Sequence, residues 1–183
     1  TEGALVVAAA KANLHKEQLE EKLPRIDEIP FDSKERYMAT FHKETEKTLK
    51  VLVKGAPESI LSMCKQQRHG EHGSSPLNTS LWHERAEEIA AQGQRVLALA
   101  MKPVPSEHTV LEHSDAEDSL MLLGMVGLID PPRKETIDAV AECHSAGIRV
   151  KMITGDHAAT ARAIGRQIGL KQTDKVLTGV DID

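Results

Sequence analysis

The chain has 183 residues, 40% hydrophobic and 28% charged, with a mean hydropathy of -0.34, the composition of an ordinary globular protein large enough for one or two domains. A net charge of -5 and a pI of about 6.0 argue against a nucleic-acid partner held through its phosphates. The longest apolar runs, 4–10 and 121–129, fall short of the ~20 residues that cross a bilayer, and no signal-peptide pattern opens the chain.

Residues 4–21 are predicted to form a helix, alanine-rich and then rich in lysine and glutamate. Pro24 and Pro30 bracket an extended segment. In "RYMATFHKETEKTLKVLVK", Tyr37, Ala39 and Phe41 alternate with Met38 and Thr40, and Leu49, Val51 and Val53 alternate with Lys50 and Leu52. That pattern predicts a hairpin turning through "HKETEK". Pro57 suits the first turn of a helix running to about Cys64. "QQRHGEHGSSPLNTS" has the composition of a loop, in which His69 and His72 read as loop histidines because no further ligand stands at a useful spacing; no metal site is expected. Ser80 can cap a helix through Ala91 that Gly93 ends. "QRVLALAMKPV" reads as a strand and "PSEHTVLEHSDAED" as an acidic connector.

After residue 119 the rhythm changes to strand, helix, strand, helix and short strand: 119–129, 134–146, "IRVKMIT" at 148–154, 157–168 and "KVLT" at 175–178. Spacing of this kind predicts a parallel α/β sheet. The expected architecture is therefore an α+β domain with an antiparallel sheet flanked by helices over 1–129, joined to an α/β, Rossmann-like segment over 130–183. The stiff "DPPR" segment, Asp130, Pro131, Pro132 and Arg133, stands at the junction. Only four aromatic residues are present, and three of them, Phe31, Tyr37 and Phe41, lie close together. Cys64 and Cys143 are far apart and read as free thiols of a reducing compartment, so a cytoplasmic location is expected. Both ends of the chain read as cut, as in an excerpt of something longer.

Four stretches can carry chemistry. In "IRVKMITGDHAATARAIGRQIGL" a hydrophobic run ends at Thr154, Gly155 permits close backbone approach, and Asp156 can cap the next helix; helix N-termini in such places receive phosphates. A plain turn and cap explains the same residues. In "IPFDSKERYM", Phe31 can stack a base and Arg36 can answer phosphate charge, or Phe31 can be an ordinary core residue and Arg36 a solvated one. In "VKGAPE", Lys54 ends a strand and Gly55 removes side-chain bulk beside it, which suits either a ligand or a solvated strand end. Arg95 stands in "GQRVLALA". No G-x-x-x-x-G-K-[ST] motif is present.

Taken together, "TEGAL", "IPFDSKERYMA", "VKGAPE", "QRVLALA", "GLIDPPRKE" and "AGIRVKMITGDHAATARAIGRQIGL" resemble the cytoplasmic part of a P-type cation-transporting ATPase, in the style of its calcium- and sodium-pump branch. The resemblance covers nearly the whole chain. It implies a nucleotide-binding (N) domain over 1–129 and part of a phosphorylation (P) domain of haloacid-dehalogenase-like fold over 130–183, with Asp130 to Arg133 as the hinge. It implies ATP with Mg2+ as the cofactor, with Phe31 stacking on adenine and Glu2 and Met38 nearby. Arg36 stands where many relatives have lysine, Lys54 and Gly55 form the pocket floor, and Arg95 reaches toward the phosphates. Thr154, Gly155 and Asp156 would meet the transferred phosphoryl.

The resemblance places the phosphorylated aspartate before residue 1 and the Mg2+-binding aspartate after residue 183, with membrane helices also outside the chain. The implied partners are ATP and the remainder of the same pump (actuator domain, rest of the P domain and membrane helices), at the cytoplasmic face of a membrane, with calcium the expected ion. This fragment would then bind ATP without forming the phosphoenzyme. Ser33 departs from the arginine or lysine often found at its position. Two rival readings are a haloacid-dehalogenase-type phosphatase, which needs an Asp-x-Asp pair upstream that this sequence lacks, and a non-catalytic nucleotide-binding or interaction module using the acidic segment 105–118.

Overall fold

A computed structural model describes every residue except Glu46, Lys47, Glu71, His72, Ser106, Gly179, Val180, Ile182 and Asp183. The chain divides into two compact units: Thr1–His83 with Leu97–Val126, and Glu84–Val96 with Gly127–Asp183.

The first unit is a mixed α+β domain. Helices α1 (Glu2–Lys11) and α2 (Lys16–Lys22) precede strands β1 (Arg25–Ile29), β2 (Tyr37–Lys43) and β3 (Thr48–Gly55). Helix α3 (Pro57–Met63), strands β4 (Cys64–His69) and β5 (Gly73–Pro76), helix α4 (Thr79–Ala91), strand β6 (Arg95–Pro105), helix α5 (His113–Ala116) and strand β7 (Leu120–Leu128) follow, with residues 84–91 of α4, 95–96 of β6 and 127–128 of β7 falling in the second unit. The seven strands form one sheet in the order β1-β2-β3-β6-β7-β4-β5.

The predicted hairpin is present as β2 and β3, paired antiparallel from Tyr37–Gly55 to Lys43–Leu49. Its turn includes Glu46 and Lys47, which lie outside the described residues. Alternation does what a period of two requires. Tyr37, Ala39, Phe41, Leu49, Val51 and Val53 are buried, and they join Ile60 and Leu61 of α3 with Ala98, Ala100, Leu120 and Leu122 in one core.

Four expectations for this unit are corrected. The single helix expected over 4–21 is two helices. Asn13 takes a left-handed conformation (φ 58°), and the amides of Asn13 and Leu14 donate to the carbonyls of Ala10 and Ala9. That arrangement ends α1, and asparagine accepts the backbone it needs. The segment read as a loop after Cys64 forms β4 and β5, which pair antiparallel from Gln66–Pro76 to His69–Gly73. β4 also pairs parallel with β7, so the sheet is mixed rather than wholly antiparallel. These polar strands carry no alternating hydrophobic pattern because, after Cys64, none of their residues is buried. His72 lies outside the described residues. Helix α4 is capped by Asn78, whose Oδ1 accepts from the Leu81 amide at 3.1 Å, rather than by Ser80.

In the second unit, helices α6 (Lys134–Ser145) and α7 (Ala158–Gln167) stand where expected. Gly147 (φ 73°) and Gly169 (φ 79°) lie just beyond their ends, with the next amides, of Ile148 and Leu170, donating to the Cys143 and Gly165 carbonyls. The strands expected over 148–154 and 175–178 do not form, so a Rossmann-like sheet is not seen. A strand exists only by pairing, and among the described residues nothing pairs with these segments. Ile153 is 98% exposed as a result. Among the described residues no helix is long and apolar enough to cross a membrane.

Candidate functional site

At one end of the first unit's sheet, Met38 of β2 pairs with Lys54 of β3, which pairs in turn with Leu99 of β6. Directly paired residues share a face of a sheet, so these three side chains lie together on the half-buried side. Their neighbours Tyr37, Gly55 and Ala98 face the core. Lys54 thus lies over the sheet with only 19% of its side chain exposed, and its ammonium pairs with the carboxylate of Glu2 in the first turn of α1. That partner is 71% exposed. The Lys54 stem is therefore largely covered by protein, while its counter-ion is an exposed surface side chain, and a pair of that kind is worth little.

Gly55 has a packing reason. A Cβ there would lie 2.8 Å from both Cα and Cβ of Tyr37 and closer still to the carbonyl oxygen of Arg36. That carbonyl accepts from the Ala56 amide at 2.9 Å, which ties the start of β2 to the end of β3.

Between β1 and β2 the chain makes a tight loop. The Asp32 carboxylate accepts from the amides of Lys34 (2.7 Å) and Glu35 (3.1 Å). The Asp32 carbonyl accepts from the Arg36 amide at 2.7 Å, and the Asp32 amide donates to the Tyr37 carbonyl at 3.4 Å. The amides of Glu35 and Lys34 hold the Asp32 carboxyl below its usual range. Arg36 closes the loop in a left-handed conformation (φ 59°), and its guanidinium stands 3.8 Å from the Glu58 carboxylate at the start of α3. Phe31, 63% exposed, precedes this loop. Of the three neighbouring aromatics, Tyr37 and Phe41 are core residues and Phe31 is not.

Glu2, Phe31, Arg36, Met38, Lys54 and Gly55 all belong to this unit, and register and loop closure gather the last five at the same strand ends. Arg95 belongs to the second unit. Its Nε donates to Asp156 Oδ1 at 3.0 Å, and Thr154 Oγ1 donates to the other carboxylate oxygen at 2.8 Å. Partial burial raises the Asp156 pKa, but the Arg95 and Thr154 bonds outweigh it and hold the carboxyl below its usual range. So engaged, Asp156 does not cap α7; the His157 ring does, accepting from the Ala159 amide at 3.3 Å. Gly155 is exposed, with open space where a Cβ would stand. Asp130, Pro131, Pro132 and Arg133 form an irregular segment leading into α6. A groove of about 510 Å3 beside α6, lined by Arg133, Thr136, Val140, Cys143 and Val150 among others, holds none of the other predicted residues. Among the described residues no group of three or more histidine, cysteine, aspartate or glutamate side chains can hold a metal.

Sequence reasoning passed over Asp32 and Glu58. The only signal for Asp32 was its type, since aspartate often accepts from backbone amides two and three residues on.

The family model for the cytoplasmic domain N of P-type ATPases matches residues 1–135. The cation-transporting ATPase pma1 of Synechocystis is 45% identical over 170 residues, covering 93% of this chain and 19% of that protein. A probable cation-transporting ATPase F of Mycobacterium tuberculosis is 40% identical over 187 residues, and calcium-transporting ATPase 1 of Lactococcus lactis is 39% identical over 187; each match covers all of this chain and 21% of the relative. The chain thus spans about a fifth of the length of these relatives. With motifs, sheet and family model in agreement, the chain belongs to the P-type ATPase cytoplasmic N-domain family.

Proposed function

We propose that the chain is the ATP-binding cytoplasmic portion of a P-type ATPase that moves a cation, calcium by the style of its motifs, across a membrane. Residues 1–129 serve as the N domain and 130–183 as part of the P domain, with Asp130 to Arg133 as the hinge. The observation that carries the reading is Lys54: a side chain only 19% exposed, lying over a sheet end in the unit that also holds the exposed Phe31, with its ammonium paired to the exposed carboxylate of Glu2.

In this reading adenine stacks on Phe31, with Glu2 and Met38 beside it, while Lys54 and Arg36 face the triphosphate and Gly55 keeps the floor of the pocket close. Arg95 reaches for the phosphates after leaving Asp156. Thr154, Gly155 and Asp156 meet the phosphoryl group during transfer to an aspartate that these residues do not supply. Mg2+ arrives on the nucleotide and neutralises phosphate charge. Phosphoryl transfer depends chiefly on positioning and charge neutralisation, which a stacking ring and a few cations supply. The remainder of the pump and the cytoplasmic face of its membrane complete the setting.

One stacked base contributes ~1–3 kcal/mol and each charge-assisted contact ~1.5–3 kcal/mol, against an association cost of at least ~4 kcal/mol. Binding is therefore weak, with a Kd of roughly tens of micromolar to millimolar. Calorimetric titration of Mg-ATP into the chain tests this. The Phe31→Ala variant should bind roughly 5- to 150-fold more weakly, and unchanged affinity in that variant would remove the stacking role.

A further inference from the structure

The loop 31–36 presents a problem that the nucleotide reading does not answer. A phenylalanine that is 63% exposed gains little from its own packing, yet its ring must stand still to stack on a base. Something else must fix it. On one side Pro30 sets its own φ and restricts the backbone of Ile29 before it. On the other side the loop's hydrogen bonds converge on one residue. Asp32 accepts from Lys34 and Glu35 through its carboxylate, accepts from Arg36 through its carbonyl, and donates to Tyr37. Arg36, held at φ 59°, is then locked from outside by the Ala56 amide and by the close approach of Gly55. The backbone just after Phe31 is thereby tied to the first residue of β2, next to the Met38–Lys54 pair.

We infer that Asp32 is a positioning residue for nucleotide binding: by closing the loop with its carboxylate it holds the exposed Phe31 ring ready for a planar base. This rests on the proposed function. Asp32 acts through Phe31 and does not touch nucleotide itself. What matters is an accepting oxygen at the δ position, which asparagine also offers, and not the negative charge, which would repel phosphate.

The experiment measures Kd for Mg-ATP and for magnesium tripolyphosphate, which has no base. The chains compared are wild type, Asp32→Ala, Asp32→Asn, Phe31→Ala and the double variant Phe31→Ala/Asp32→Ala. The urea midpoint is followed at Trp82. Asp32→Ala should weaken ATP binding about three- to tenfold, the usual range for losing one or two hydrogen bonds. Asp32→Asn should stay within about twofold of wild type. Tripolyphosphate affinity should be the same in all five proteins. The double variant should bind ATP no more weakly than Phe31→Ala alone, because two residues acting through one contact are not additive. If Asp32→Ala lowers the urea midpoint, Asp32→Asn and a Phe31-based comparison at matched stability still decide. Wild-type affinity in Asp32→Ala while Phe31→Ala is impaired would overturn the inference and leave the nucleotide reading standing. So would equal losses in the alanine and asparagine variants, or additive losses in the double variant. Wild-type affinity in Phe31→Ala would remove the stacking role and this inference with it, whereas no binding of Mg-ATP by the wild-type chain would remove the nucleotide reading itself.

Discussion

Replacing Gly55 by alanine should destabilise the first unit even with no nucleotide present. The added methyl has no room. It would sit 2.8 Å from Cα and Cβ of Tyr37 and nearer still to the Arg36 carbonyl, and all of these belong to or adjoin a paired strand rather than a flexible side-chain tip. Overpacking of this kind costs ~1–3 kcal/mol. Pushing Arg36 away also weakens its 2.9 Å bond from Ala56, adding about 1 kcal/mol. Lower entropy of the unfolded alanine chain returns ~0.5–1 kcal/mol. The net loss is about 2 kcal/mol, or a urea midpoint lower by about 1 M for a typical slope of ~2 kcal/mol/M. Trp82 reports on the right unit. It is the only tryptophan, it packs against the first unit's core, and its Nε1 donates to Gln67 at 2.8 Å. A midpoint shift under about 0.3 M would show that β2 and β3 separate at little cost and would refute the close-packing account of Gly55.

Burial alone pushes the Cys64 thiol up to about 12, whereas Cys143 is only partly buried. At pH 8 a thiol reagent should therefore modify one cysteine per folded chain and both after denaturation; prompt native reaction of Cys64 would contradict its burial. Asp115 is partly buried, which raises its pKa, but the Glu112 amide, the His108 ring at 2.7 Å and Lys102 together hold it below its ordinary value of 3.8. A depressed carboxyl stabilises the fold above its unfolded pKa and loses that stability as pH falls through the folded one. The urea midpoint at Trp82 should therefore fall below about pH 4, and less steeply in Asp115→Asn; identical acid limbs would contradict the assignment.

Much of the first unit was legible because burial wrote itself into a period of two. Tyr37, Ala39 and Phe41 facing Val53 and Val51 left no other arrangement. The β4–β5 pair was not legible, since Gln66 to His69 meet solvent and need only backbone partners. The run 148–154 shows the opposite failure: its apolar residues read as a strand, but a strand also needs a neighbour to pair with, which composition does not report. Asn13 broke a helix that propensity favoured through one left-handed residue. At the candidate site, motifs pointed to Lys54, but only register shows that it lies over the sheet beside Met38. Gly55 read as room for a ligand, and the structure adds a second reason in the Arg36 carbonyl. Asp32 could not stand out, because a carboxylate bound to amides two and three residues away looks in sequence like any surface aspartate.

The most direct test of the account follows the backbone amides of the 15N-labelled chain by NMR during titration with Mg-ATP. The account predicts the largest shifts at Phe31, Arg36, Met38, Lys54 and Gly55, saturating together at roughly tens of micromolar to millimolar nucleotide. Shifts that leave these five residues unmoved, or that centre on α6 and its groove, would contradict it.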